Sequence, residues 1–250
     1  MSVVSVRQSS VLGTVAHELR GPLSALQMTS ELLDRDFDVL ESQQVKVMIS
    51  SIHRRALWLR GLMENLLTSA SINDGQLQVV RRPTNIRNVV EDIRPVVEPL
   101  LARTQQRLRI RSSPQLPLVA GDERRLGQVL INLITNASKY SGIKTTIDLT
   151  IGVRSGKVRV TVADRGPGIP ADMASRLFEP YYRAGRTDGD GMGIGLSVVR
   201  SIIEAHDGRV GVKNRAAGGS CFWFELAPLE GVVTSESSEN ETHDYERRIG

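Results

Sequence analysis

Apolar positions from Leu12 onward fall in alternating steps of four and three: Leu12, Ala16, Leu19, Leu23, Leu26, Leu33 and Phe37, with Ser30 as the polar interruption. This is a heptad seam and predicts a helix. The acidic stretch Asp34-Arg35-Asp36-Phe37-Asp38 loosens the pattern and predicts a turn. A second seam of the same period follows through Val45, Ile49, Ile52, Ala56, Leu59, Met63, Leu66 and Ala70, and ends near the stop signal Asn73-Asp74-Gly75. Two helices alone cannot enclose seams this apolar, so the pattern predicts a hairpin that pairs with a second copy as a dimeric four-helix bundle. His53 falls off the seam and is expected on a solvated face, with Trp58 in packing.

After Gly75 the period changes. Short β-like runs are predicted at 76–81, 107–111, 144–153, 157–164, 209–214 and 220–226, with Ser155-Gly156 as a hairpin turn between two of them. Helical patterns fill the gaps: one capped by Thr84 and running to about residue 103 across Pro95 and Pro99, one capped by Asp122 and running to about 137, and one over 194–206. Strands and helices do not alternate steadily. The expectation is an α+β chain, a helical hairpin at 1–74 followed at 75–228 by an α/β sandwich, a mixed sheet with helices on one face. Residues 229–250 are polar and charged, and disorder is expected there, His243 included.

Composition narrows the classes. The chain has 250 residues, 40% of them hydrophobic, and a formal charge of +4, too weak an excess to point to nucleic acid. A single cysteine, Cys221, excludes an intrachain disulfide and reads as a buried strand thiol in a reducing compartment. No run reaches the roughly 20 apolar residues that span a bilayer, and the first residues lack the basic and apolar regions of a signal peptide. A cytoplasmic chain without a membrane segment is expected.

Four stretches carry chemistry. His17-Glu18-Leu19-Arg20-Gly21-Pro22 sets a titratable nucleophile beside a carboxylate and a helix-distorting proline. Imidazole, with an ordinary pKa near 6.5, offers a neutral nucleophilic nitrogen at neutral pH. His17 lies one position past the seam, so its ring should stand at the solvent flank. Asn132 and Asn136, four apart, share one helix face, where an amide oxygen suits Mg²⁺ and Lys139 adds positive charge. Asp164, at a strand end, can accept from an exocyclic amine, while Gly166 and Gly168 let backbone approach a flat ring. Gly191, Gly193 and Gly195 open straight into a helix, an arrangement whose free amides favour phosphate, and the preceding Arg183 and Asp/Gly positions read as a mobile lid. Taken singly, each also reads as an ordinary helix face or turn.

In this order and spacing, with Phe178-Glu179-Pro180-Tyr181-Tyr182 between the last two, the motifs resemble the catalytic core of bacterial sensor histidine kinases over about residues 5–228. The resemblance implies that His17 is the phosphoacceptor, with Glu18 as base or orienting partner. It implies ATP and Mg²⁺, with Asn136 binding the metal and Asn132 nearby. Lys139 and Tyr140 would face the nucleotide, Asp164 would take the adenine amino group, and Gly166 and Gly168 would pack by the ring. Gly191, Gly193, Gly195 and Leu196 would line the phosphates, with Arg183 a candidate for the γ-phosphate. A homodimer and a response-regulator receiver domain are the implied partners.

One position departs from the family pattern. Where many members carry Thr or Asn four residues after the histidine, this chain has Gly21, which has no side chain to orient a water. Strong autokinase with weak phosphatase activity is therefore expected. Two alternatives stand beside this reading. An ATPase of the gyrase, mismatch-repair and heat-shock ninety types would place a water-activating glutamate where Asn132 stands, and a nucleotide-binding scaffold would bind without transfer.

Overall fold

The computed structural model describes residues 3–182 and 193–229, with side chains described from Leu19 onward except Asn73. Two compact units divide the chain: residues 1–77 with 177–198, and residues 78–176 with 199–250.

In the first unit, α1 (Val3–Asp36) and α2 (Ser42–Asn73) pack as a hairpin. α1 stays helical through Pro22. Glu41 starts α2 with a capping box: its side chain accepts from the Gln44 amide, and the Gln44 side chain accepts from the Glu41 N–H at 2.9 Å. Each predicted seam divides in two. Leu19, Leu26 and Leu33, with Val45, Ile52, Leu59 and Leu66, are half-buried within one chain. The intervening positions are open: Leu23, Phe37, Ile49 and Met63 are 55%, 58%, 52% and 54% exposed. Among the described residues a single hairpin covers every second seam position and leaves an apolar stripe outside, interrupted on α1 by Ser30. His53 is exposed, as its off-seam position predicts.

The second unit is a mixed five-stranded sheet, order β2-β4-β5-β7-β6, with β2 (Arg107–Ser112) parallel to β4 (Thr146–Arg154) and the remaining pairs antiparallel among β5 (Lys157–Ala163), β6 (Arg209–Asn214) and β7 (Ser220–Leu226). Register fixes two chemically distinct faces. Leu149, Val162 and Phe222 align across neighbouring strands, as do Ile151, Val160 and Phe224, and all six are buried. The opposite face is polar. α3 (Ile86–Arg103) and α4 (Glu123–Tyr140) cover the apolar side with Ile86, Val90, Val97, Leu126, Leu130 and Ile134, each almost fully buried, and α5 (Gly195–Glu204) adds Ile202 and Ile203. At about 1.5–3 kcal/mol for each large aliphatic side chain removed from water, this layer supplies the main driving force of the unit. Gly127 sits 3.4 Å, measured from an ideal Cβ, from Ile93 of α3, which lets the two helices approach closely.

Several local expectations hold and several change. Ser155 and Gly156 both take positive φ, 49° and 72°, the type I′ turn that joins β4 to β5. Asp122 caps α4, its Oδ1 accepting from Arg125 N at 3.0 Å, and the helix runs three residues past the expected end. α3 is capped by Asn85, not Thr84. The Thr84 hydroxyl is instead buried in β1 (Arg82–Thr84) and donates to the carbonyls of Arg82 and Gly121. Residues 76–81 form no strand: β1 pairs antiparallel with β3 (Val119–Gly121), a two-stranded ribbon that the apolar pattern does not announce. Pro95 and Pro99 lie inside α3 on its exposed side, where water can serve the carbonyls their missing N–H groups leave open. Among the described residues no helix is long and apolar enough to cross a membrane.

Candidate functional site

Asp164 follows β5 and is 2% exposed. Three donors fix its carboxylate: Gly166 N at 2.7 Å and Ser220 N at 3.1 Å on Oδ1, and the Ser220 hydroxyl on Oδ2. The backbone is held as firmly, with Asp164 N donating to Ser220 O at 2.9 Å and Arg215 Nη1 donating to Asp164 O at 2.6 Å. A carboxylate has about four acceptor sites, so this one retains capacity for one further donor.

The loop after Asp164 is pressed onto the end of α4. A Cβ on Gly166 would stand 2.5 Å from the Tyr140 carbonyl oxygen, so only glycine permits this approach. Arg165 N donates to Ser141 Oγ at 3.2 Å. Gly168 takes φ +82° beside Asn214, whose side chain accepts from Ile169 N at 2.8 Å and donates to Ile169 O at 2.7 Å. Asn214 thus clamps the loop as a backbone partner would. Gln106, 5% exposed, seals the other side: its amide donates to the carbonyls of Ser138 at 3.0 Å and Gly142 at 3.1 Å, and its Oε1 accepts from Ser138 Oγ. These carbonyls belong to the end of α4 and the turn after it, which would otherwise be buried without donors.

α4 carries the remaining polar groups of this unit. Asn132 and Asn136 are half-buried on the same side of a helix whose Leu130, Leu133, Ile134 and Ala137 face the core. Lys139 and Tyr140 are exposed at its last turn, the Lys139 ammonium 5.4 Å from the Tyr140 ring centroid. The buried acceptor and its glycine loop thus abut the C-terminal end of α4, the helix that also carries Lys139 and the two amides.

His206 steadies the far end of α4. It is 5% exposed; Nδ1 bonds the Ile202 carbonyl at 2.7 Å and Nε2 accepts from the Asp122 N–H at 3.0 Å. This pairing requires a neutral ring with the proton on Nδ1. Burial, with Arg81 adding to it, holds His206 below its ordinary pKa against the pull of Asp122 and Asp207. Asp122 in turn overcomes its own partial burial through the Val80 and Arg125 amides and stays below the usual carboxylate range.

In the other unit, His17 and Glu18 lie within α1, and their side chains are outside the described residues. Gly193 takes φ +69° and its carbonyl accepts from Tyr181 N at 3.1 Å, while Gly195 begins α5 and Leu196, beside it, is half-buried. Arg183, Gly191 and the segment read as a lid lie outside the described residues. Cys221 is a buried strand thiol as expected, its pKa pushed up by burial. Sequence reasoning missed Ser220, Asn214 and Gln106. Only the pairing of β5 with β7, Ala163 opposite Cys221, brings Ser220 to Asp164, and nothing in the local pattern around Ser220 signals it.

Residues 7–75 match the His Kinase A (phospho-acceptor) domain, and residues 121–230 match the histidine kinase-, DNA gyrase B-, and HSP90-like ATPase domain. The adaptive-response sensory kinase SasA of Crocosphaera subtropica is 35% identical over 226 residues, covering 88% of this chain and 59% of SasA. The sensor protein KdpD of Clostridium acetobutylicum is 27% identical over 227 residues, 88% of this chain and 24% of KdpD. The crystal structure of full-length ShkA in complex with AMPPNP superposes with a TM-score of 0.61 at 29% identity, covering 87% of this chain and 46% of ShkA. The chain thus spans about a quarter to six-tenths of the length of these curated relatives. With a phosphoacceptor hairpin and an ATPase-type domain in the family order, the chain belongs to the bacterial sensor histidine kinases and comprises their catalytic core.

Proposed function

We propose that this core binds Mg-ATP in the unit carrying α4 and β5, transfers the γ-phosphoryl group to His17, and passes it on to the aspartate of a response-regulator receiver domain. The observation that carries this reading is the buried, three-donor Asp164 with acceptor capacity to spare, set behind a loop that glycine alone allows against α4. That geometry suits the exocyclic amine of adenine.

The residues present fit the nucleotide. By the family resemblance, Lys139 and Tyr140 would face it at the rim, Gly166 and Gly168 would pack by the ring, and Gly191, Gly193, Gly195, Leu196 and Arg183 are the residues expected to serve the phosphates. Among the described residues no group of three His, Cys, Asp or Glu could hold a metal by itself. Mg²⁺ would then be bound mainly through the phosphates, with the Asn136 amide as protein ligand and Asn132 beside it, in keeping with the water-rich sites this ion prefers. Phosphoryl transfer asks chiefly for positioning and charge neutralisation, which these groups supply. His17 attacks through a ring nitrogen, and Glu18 orients the ring or takes its proton.

Residues 1–74 serve as dimerisation and phosphoacceptor hairpin and residues 75–228 as the catalytic domain. The open half of each seam supports a homodimer, since pairing two hairpins would cover Leu23, Ile49 and Met63. A cytoplasmic location for this core is part of the same reading. Incubation with γ-labelled ATP tests the function against its ATPase rival. Protein label stable in alkali and labile in acid is expected, and steady release of free phosphate with no label on the protein would transfer the assignment to an ATPase.

A further inference from the structure

The sheet face turned away from the helices is strongly basic. Arg107, Arg109 and Arg111 alternate along β2, Arg159 stands on β5, and Arg209 and Lys213 stand on β6, all on this side by register. The carboxylates among the residues of the five strands are just Asp148 and Glu225, and both are already engaged. Asp148 pairs with Arg109 and, at 2.9 Å, with Arg165, while Glu225 pairs with Arg159 at 2.6 Å. The centre is flat. Arg159 stacks on Trp223 with its guanidinium carbon 4.0 Å from the ring centroid, and the ring lies directly across Gly211, where a Cβ would meet the indole at 2.2 Å. A flat platform ringed by exposed cations spreads its charge across several strands. It suits an extended acidic segment.

The same chain contains one. Residues 230–246 carry six carboxylates, at Glu230, Glu236, Glu239, Glu241, Asp244 and Glu246, with no Lys or Arg until Arg247. The segment starts beside this unit, for Leu229 N donates to Leu118 O at 2.6 Å and Pro228 bridges to Val119. Five strands span roughly 20–25 Å, and seventeen residues can extend to about 55 Å, so reach is ample.

We infer that residues 230–246 dock on the basic outer face of the sheet, centred on the Arg159–Trp223 stack, and that this face is a tail-binding surface. Single exposed ion pairs contribute little, but tethering turns their sum into an intramolecular contact at high effective concentration. Such a contact must weaken with salt.

The test uses the full chain with Ser238→Cys carrying a fluorophore that tryptophan quenches, Cys221 being buried. Emission should be quenched at about 20 mM salt and rise about two-fold or more at about 0.5 M. It should rise equally at low salt in Trp223→Phe, and in the triple variant Glu236→Gln, Glu239→Gln, Glu241→Gln. Emission indifferent to salt and to all these substitutions would overturn the inference. So would heparin or anionic phospholipid vesicles binding the parent and the triple variant with equal affinity, since the face would then be open to an external polyanion.

Discussion

The neutral pairing of His206 makes a sharp prediction about pH. Protonating the ring turns Nε2 from acceptor to donor, so it can no longer take the Asp122 N–H, and it places a charge in a site that is 5% exposed. Burial holds the folded-state pKa below the ordinary 6.5, so the unfolded chain takes up a proton at a pH where the folded chain does not. The contribution of His206 is therefore complete above about pH 6.5, and it is lost as pH falls from there towards the folded-state pKa. One proton limits the slope to about 1.4 kcal/mol per pH unit, and the orphaned amide alone costs about 1–3 kcal/mol. The assay is urea unfolding of the parent and of His206→Gln at pH 7.5, 6.5 and 5.5. Gln can keep an acceptor near Asp122 without titrating, and subtracting the two curves removes the other histidines and the carboxylates. The parent should lose stability relative to His206→Gln as pH falls through this window. Parallel curves would refute the argument that His206 is buried as the neutral acceptor of the Asp122 amide.

Other expectations concern binding, turnover and assembly. Asp164→Asn replaces an acceptor with a donor facing the Ser220 hydroxyl and the incoming amine, and should weaken ADP binding by calorimetry about ten- to a hundredfold, equivalent to about 1.4–2.7 kcal/mol. Gly21→Thr has room, since a Cβ there meets nothing within 4 Å, and it should raise the weak receiver dephosphorylation expected of the parent; rapid loss of phosphate with the parent protein and ADP would contradict the reading of Gly21. Leu23→Glu, at a position 55% exposed in one chain, should convert a dimer to a monomer in light scattering, and a parent already monomeric would remove the four-helix bundle from the account.

How far the fold could be read in advance depended on the length of each signal. The heptad seams and the strand runs at 209–214 and 220–226 are long enough to carry a period, and β6 and β7 stand at those residues. Three-residue β1 and β3 carry none, and the β-like run at 76–81 pairs with no strand among the described residues. Thr84 and Asn85 are both capping residue types, and the choice between them is tertiary: Gly121 claims the Thr84 hydroxyl, leaving Asn85 to accept from Arg87 N at 2.9 Å. The same holds at the site. Asp164 and its glycines were legible as a motif, whereas Ser220 reaches Asp164 across 56 positions through a strand pairing that no local window contains.

The central claim is that His17 receives the γ-phosphoryl group from a nucleotide held at Asp164. Intact-mass measurement after incubation with Mg-ATP addresses it directly. One added phosphoryl group on the parent, none on His17→Ala and little on Asp164→Asn is the predicted result. Equal phosphorylation of His17→Ala would contradict it.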